Sequence, residues 1–522
     1  MSRQGKRPMK PSIPTEALMQ QAQSRPESTA FIFHEDVWTY RRLADESERI
    51  ARGLAASGVK AGDRVVLHMM NRPEMLVAYY ACFRLGAIAA PLRTAFEFAE
   101  LAPMLQRIQP ALYIGQASLY PNVREVDAAI LPLEERVILD DADGAHGVQP
   151  WEVLKHSLNA DLPTPASNEP AVLINTSGTT GQPKFVVHTQ DTLAAAAHLT
   201  CKHFNFSTDD VMISSSQLAH ASGLCGALSY IQVGAPFIML QSPDPDIILD
   251  RIERHRATRM FGFPYQYAGL LKAQQARPRD LSSLQICLTG GDVCPLDLQK
   301  QFTAAVGAPL YNIWGATEVP SHLSFGTRPG PVLRIPEEAQ IRLVDENGAD
   351  VARGEIGELL VRGSNVFVGY WNDPAATAQS LKDGWHHTGD MMRRGEGDEL
   401  WFVSRKKDII IRGGTNISPV EVEEALLACH PAVQEAAAVG KPDPVLGQRV
   451  VGFVKLAAVA KESVVAEIVR DVATRLAPYK VPEDLRVIDA LPRNTLGKVD
   501  RRTLERMASG GSRASGDERP AA

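Results

Sequence analysis

The sequence predicts an α/β protein: a large N-terminal domain of parallel-type α/β sheets, a β-rich subdomain and a small α+β C-terminal domain. Three observations carry this. Strand and helix patterns alternate from about residue 43 to 318; short strands with glycine-containing turns follow residue 330; and a compact set of strands and helices follows Arg405. At roughly 150 residues per domain, 522 residues leave room for about three units, each able to bury a core.

The elements can be taken in order. Leu43, Ile50, Ala51 and Leu54 recur at helical spacing up to the stop at Gly58. VVLHMM (65–70) reads as a strand, 73–85 as a helix closed by Gly86, AIAAPL (87–92) as a strand, Glu97 to Arg107 as a helix and ALYI (111–114) as a strand. Such alternation implies crossover units and a buried parallel sheet. The pattern recurs from about 200 to 318. IRLVDENG, GELLVRG and DELWFVSRKKDIII then give short strands broken by turns. In the last unit, strands are expected near 409–411, 433–439, 449–455 and 485–488, with helices near 419–428 and 462–476. The tail from Ser509 has nothing to bury and is expected to be disordered.

Composition narrows the function. Lys and Arg number 55 against 61 Asp and Glu, a net charge of −6, so no broad basic surface suggests nucleic acid or an anionic membrane. The six cysteines (Cys82, Cys201, Cys225, Cys287, Cys294 and Cys429) show no zinc or redox spacing. There is no run of 18 apolar residues and no apolar segment behind the basic start. The expectation is a soluble, cytoplasmic protein that binds anions only at a local site.

That site is suggested by AVLINTSGTTGQPKFVVHT (171–189). Two β-type runs enclose Thr176, Ser177, Gly178, Thr179, Thr180, Gly181 and Lys184. Glycines let the backbone turn its N–H groups toward a ligand, hydroxyls add donors and the lysine adds charge, which together suit a polyphosphate. The spacing is not that of a Walker A loop, since the lysine follows Gln182-Pro183.

TSGTTGQPK resembles the signature phosphate loop of the adenylate-forming (AMP-binding) superfamily, in its acyl-CoA synthetase and aryl-CoA ligase branch. The resemblance continues in order through QLAHASG (217–223), FGFP (261–264), LTGGDVCP (288–295), YNIWGATE (311–318), GELLVRGSNVFVGYWNDP (357–374), DGWHHTGD (383–390), SRKKDIIIRGGTNISPVEVE (404–423) and LPRNTLGK (491–498). It implies an AMP-forming acid–thiol ligase that makes an acyl-CoA through an acyl adenylate, using ATP, Mg²⁺ and coenzyme A. It also implies an adenylation domain over 1–404, a hinge at 405–408 and a mobile domain over 409–508, leaving 509–522 as tail.

Each segment then acquires a role. Trp314, with Gly315 and Ala316, offers adenine a flat apolar face; Gly290, Gly291 and Asp292 line its other side; Thr317 donates to the α-phosphate; and Glu318 is the hard oxygen ligand for Mg²⁺. Asp390 accepts the ribose hydroxyls beside Arg405. Lys498 bridges the two anions that meet when a carboxylate attacks the α-phosphate, an electrostatic role that needs no general base. His220 lies where the acyl pocket meets the thiol path. Ala221, Ser222, Phe263, Tyr265, Thr289, Ile313, Gly315 and Pro320 are expected to line that pocket. Rotation about Lys407 brings Gly413 and Gly414 in to form a pantetheine channel, although a Gly-Gly pair also serves as a plain turn. Departures from the family pattern are Gln217, Asp292, Trp314 and Ser404, none of which removes a catalytic group. The expected partners are small molecules: a carboxylic acid of aromatic, alicyclic or medium-chain type, ATP and CoA. A carrier protein as acceptor and a homodimeric state stay open as alternatives.

Overall fold

The structure is a computed structural model that describes residues 11–126, 129–131, 137–139, 148–156, 160–176, 184–292, 294–326, 328–413, 415–457, 463–494 and 498–510. Among these residues, strands form four sheets. The first has seven strands in the order Leu310–Asn312, Ile286–Thr289, Arg259–Gly262, Met212–Ser214, Phe237–Met239, Thr29–Phe33, Asp36–Thr39, parallel except for the closing hairpin. The second has eight: Gly369–Tyr370, Lys184–Thr189, Pro170–Thr176, Ile88–Pro91, Arg64–His68, Leu112–Gly115, Val137–Leu139, Gln149–Pro150. The alternation read from the sequence is therefore present, with crossover helices Tyr40–Ala56, Pro73–Leu85 and Phe98–Ile108.

Local chemistry explains these boundaries. Thr39 caps the first of the three helices by accepting the Arg42 amide at 3.2 Å. Pro73 opens the second, and Gly86 closes it at φ 77°, a left-handed conformation that favours glycine. Glu97 and Glu100 form a reciprocal cap on the third. The Pro73–Leu85 helix is buried at Met75–Phe83 and Leu85 because it lies in one core that reaches both parallel sheets, from Phe31 and Phe237 to Val65, Val172 and Leu288. A helix apolar on every side is stable only in such a place.

The third sheet is antiparallel. It packs Leu343, Leu359, Val361, Met392 and Leu400 around Trp314. The fourth belongs to the last unit, with strands Ile410–Arg412, Thr415–Ile417, Val433–Asp443, Gly447–Leu456 and Asp484–Val487 and helices Pro419–Cys429, Ser463–Ala473 and Arg501–Ala508. Sheet membership changes within a few residues: Arg405 still pairs with Asp390 in the third sheet, Lys406–Asp408 make one helical turn, and Ile410 starts the fourth. The parallel strands end at Ser214, Gly262, Thr289 and Asn312, and the crevice outside such ends is where ligands of open α/β sheets bind. There the chain carries Phe263, Gly290 and Trp314.

Candidate active site

At the nucleoside end, Asp390 is 2% exposed. Its Oδ2 accepts the Trp314 indole N–H at 2.7 Å, and its Oδ1 lies 2.8 Å from Arg405 Nε across the strand pair. Among the described residues Oδ1 makes no hydrogen bond and so keeps acceptor capacity in a buried place. Burial pushes the carboxyl up, against the pull of Arg405 and of the indole bond. The Arg405 guanidinium is raised by the same carboxylate. A hydroxylated sugar fits this arrangement because it supplies the donors that the carboxylate lacks. Trp314 itself is 7% exposed and sits in the β-rich core; the contact it makes here is to Asp390.

Gly290 and Gly291 line the adjacent wall. A Cβ on Gly290 would come within 2.8 Å of Ile313 Cγ1. Gly291 has φ +81°, and a Cβ there would meet Phe263 at 3.1 Å and Lys498 Cε at 3.7 Å. The backbone strip is thus bare for a steric reason, and Lys498, from the last unit, lies against it.

At the phosphate end, Thr176 and Lys184 are cross-strand partners at the open end of an antiparallel pair. Ser177, Gly178, Thr179, Thr180 and Gly181, which the sequence assigned to the phosphate loop, lie outside the described residues. Lys184 Nζ is 4.9 Å from the centroid of the Tyr370 ring, and the Tyr370 hydroxyl donates to Glu318 Oε1 at 2.8 Å. His188, fully buried, contacts the Thr317 carbonyl with Nε2 at 2.8 Å. A carbonyl only accepts, so Nε2 carries the proton and the ring fixes the Thr317–Glu318 turn. Burial lowers the His188 pKa, which keeps the ring neutral. Sequence reasoning passed over His188 and Tyr370, although both stand in segments it quoted. No group of three or more metal-binding side chains occurs among the described residues. Glu318 offers one hard oxygen donor, as suits a Mg²⁺ that would take its other oxygens from phosphates and water.

The last unit presents Lys498 at the base of a hairpin whose ends are joined by Asn494 N to Lys498 O at 2.9 Å and by a bridge between Arg493 and Val499. The lysine is half-buried, and desolvation lowers its pKa. The following helix is tied down by Arg501, which donates to Glu423 Oε1 at 2.6 Å, to Glu423 Oε2 at 3.0 Å and to the Ala438 carbonyl at 2.8 Å.

His220 caps the helix Ala221–Val233, contacting the Ser222 hydroxyl at 3.1 Å with Nδ1, and burial takes its pKa down to about 3. Ser222, Gly226 and Tyr230 follow one another along that helix at the wall of a small cavity of about 20 Å³, which Ser214, Ser216 and Met239 also line. Among the described residues the buried hydroxyls of Ser216 and Thr289 have no partner. Ala221 is buried nearby. Phe263 stacks on Tyr265, centroids 6.1 Å apart with planes 4° apart, and Tyr265 is exposed. Pro320 uses its carbonyl to accept Asn365 Nδ2 at 2.6 Å.

Of the proposed channel and hinge, Lys407 lies in the single turn 406–408. Gly413 has φ +54° and donates its N–H to Leu446 O at 2.8 Å, so a turn alone already favours glycine there. Gly414 and the tail beyond Gly510 lie outside the described residues. No described helix is long and apolar enough to cross a membrane.

Comparison with known proteins agrees with this geometry. The family described as AMP-binding enzyme matches residues 18–371, and the AMP-binding enzyme C-terminal domain matches residues 421–498. The chain belongs to the AMP-binding enzyme family. Among its relatives, the medium-chain fatty-acid–CoA ligase of Escherichia coli K12 is 33% identical over 93% of this chain and 89% of the relative. ATP-bound MatB from Rhodopseudomonas palustris superposes with a TM-score of 0.85 at 27% identity, over 95% of this chain and 99% of that one. The o-succinylbenzoate CoA synthetase of Bacillus subtilis, solved with its acyl-adenylate intermediate, gives a TM-score of 0.77 at 28% identity, over 94% and 97%. This AMP-binding enzyme is an acid–thiol ligase of the acyl-CoA and aryl-CoA ligase branch, working through an acyl adenylate with ATP, Mg²⁺ and CoA.

Proposed function

We propose that the enzyme converts a medium-chain, alicyclic or aromatic carboxylic acid to its CoA thioester in two steps at one site. The observation that carries the choice of acid is the wall beyond His220: Gly226 bears no side chain between Ser222 and Tyr230, beside a small cavity of about 20 Å³, and a chain or ring several carbons long can lie along that wall once the Tyr230 ring, which packs over Gly226, gives way.

In the first step a carboxylate oxygen forms a bond to the α-phosphorus of ATP while the bond to the bridging α–β oxygen breaks, giving acyl adenylate and pyrophosphate. Asp390 and Arg405 hold the ribose, Lys184 and the turn at Thr317 hold the phosphates, and Lys498 offsets repulsion between the reacting anions. Glu318 would hold a Mg²⁺, which when bound would offset the phosphate charge. In the second step the CoA sulfur bonds to the acyl carbon, AMP leaves and the thiol proton goes to solvent. For that step the unit 409–508 turns about 405–408, withdrawing Lys498 and presenting Gly413 and Gly414 to the pantetheine arm. The change of sheet across Lys406–Asp408 supports this reading.

Incubation with ATP, Mg²⁺, CoA and a panel of acids, read by mass spectrometry, tests it. Octanoyl-, phenylacetyl- or benzoyl-CoA is expected. Pyrophosphate release without any acyl-CoA would favour a carrier-protein acceptor, and turnover confined to acetate would refute the choice of acid.

A further inference from the structure

Arg93 follows the strand Ile88–Pro91 at its carboxyl end, between the strands Pro170–Thr176 and Arg64–His68. Ala89 pairs with Val172 in a parallel ladder, so Arg93 leaves the sheet at the same end as Thr176. Its backbone is pinned: the carbonyl contacts His68 Nε2 at 3.2 Å and accepts the Phe96 amide at 3.1 Å.

The side chain is 4% exposed. Among the described residues it has no ion pair, its guanidinium donates no hydrogen bond, and Nε is buried with no partner. Its one neighbouring ring is Phe96, 5.7 Å from Cζ, and the charge of Glu100 reaches it only through space. Burial lowers its pKa to about 10, so it stays charged at neutral pH. The other buried arginine, Arg279, is paired with Asp246 and Asp250. A buried cation without a partner costs several kcal/mol, a cost kept where an anion arrives to complete the pair.

Arg93 acts on His220, at the start of the helix that walls the acyl cavity, and on Lys498. His220 is neutral, so the charge of Arg93, from the large unit, is felt at Lys498, from the small one, without another cation on His220. The charges around Lys498, namely Asp292, Asp390 and Arg405, belong to the nucleotide side.

We propose that Arg93 is a substrate-binding residue that holds the reacting carboxylate of the acid beside the α-phosphate, by the two-pronged pairing that guanidinium and carboxylate make. This deepens the proposed function and rests on it. Arg93 would then act in the first step only, because the carboxylate no longer exists once the acyl adenylate has formed.

The test uses the full chain and two variants, Arg93→Met and Arg93→Lys, with octanoate, benzoate and phenylacetate as probe acids. Arg93→Met should raise the melting temperature, lower kcat/KM for the acid at least 100-fold, leave KM for ATP unchanged and leave thioester formation from supplied acyl adenylate intact. Arg93→Lys should recover part of the loss. A fall in melting temperature would reveal a partner within the fold and overturn the proposal, as would an unchanged kcat/KM for the acid. A higher KM for ATP alone would assign the cation to the triphosphate, and a loss confined to thioester formation would assign it to the thiol; either overturns it. If the unmodified enzyme releases no pyrophosphate with any probe acid, the proposed function fails. Calorimetric binding of the same acids to enzyme and variant then decides Arg93 separately.

Discussion

Replacing Asp390 with asparagine separates nucleotide recognition from folding. The carboxylate holds the indole N–H of Trp314 at 2.7 Å and Arg405 Nε at 2.8 Å, and its Oδ1 keeps hydrogen-bonding capacity in a place closed to water. Asparagine has the same shape but no charge, and its amide nitrogen must face either the indole N–H or the guanidinium, donor against donor. If the ribose hydroxyls bind there, two charge-assisted hydrogen bonds weaken, at about 1.5–3 kcal/mol each, or about 3–4 kcal/mol after relaxation. KM for ATP should rise, with kcat/KM for ATP falling about 10²- to 10³-fold. Stability should barely change. The Arg405 side chain is 46% exposed, so water replaces its partner, and burial already disfavours the charged form of Asp390. Steady-state kinetics with varied ATP, beside a thermal melt, gives both numbers. An unchanged KM for ATP would refute the ribose assignment. A drop of ten degrees or more in melting temperature would show that the carboxylate holds the fold instead.

Three further outcomes follow from the packing. Gly226→Leu places its Cβ 3.4 Å from the Tyr230 hydroxyl and fills the cavity, so kcat/KM for octanoate should fall at least tenfold while acetate is affected less; equal losses for both would deny that this cavity takes the acyl chain. Glu423→Gln leaves Arg501 without its counter-charge and should destabilise the small unit by about 3 kcal/mol, seen as faster amide exchange across 419–429 and 501–508, whereas unchanged exchange would make the pair ornamental. Burial takes His68 down to about 4 and His220 to about 3, so both are neutral when folded and charge on unfolding below pH 6.5. Their stabilisation is whole above pH 6.5 and is lost as the pH falls toward those values, by about 2 kcal/mol each at pH 5. A melting temperature that stays flat from pH 7 to pH 5 would contradict it.

The sequence made the fold legible wherever local signals agreed. The helix Pro73–Leu85 was marked by proline at one end and Gly86 at the other, and the structure keeps both. Two apolar runs around a glycine-rich loop marked the strands 170–176 and 184–189, which the structure pairs antiparallel. What stayed hidden depended on contacts far apart in the chain. Trp314 reads as a free aromatic face, yet its edge meets Asp390 across 76 residues. His188 and Tyr370 gain meaning only when their strands bring them to Thr317 and Glu318. Arg93 looked like an ordinary residue after a strand, because neither burial nor the lack of a partner is written in local sequence.

The central claim is that Lys498, carried by the small unit, serves the first half-reaction only. Acid-dependent exchange of labelled pyrophosphate into ATP, measured without CoA, tests this most directly in the unmodified enzyme and in Lys498→Ala. The account predicts exchange that requires a carboxylic acid, a loss of at least 100-fold in the variant, and thioester formation from supplied acyl adenylate that survives the substitution. Exchange that persists in Lys498→Ala, or that never depends on a carboxylic acid, would contradict it.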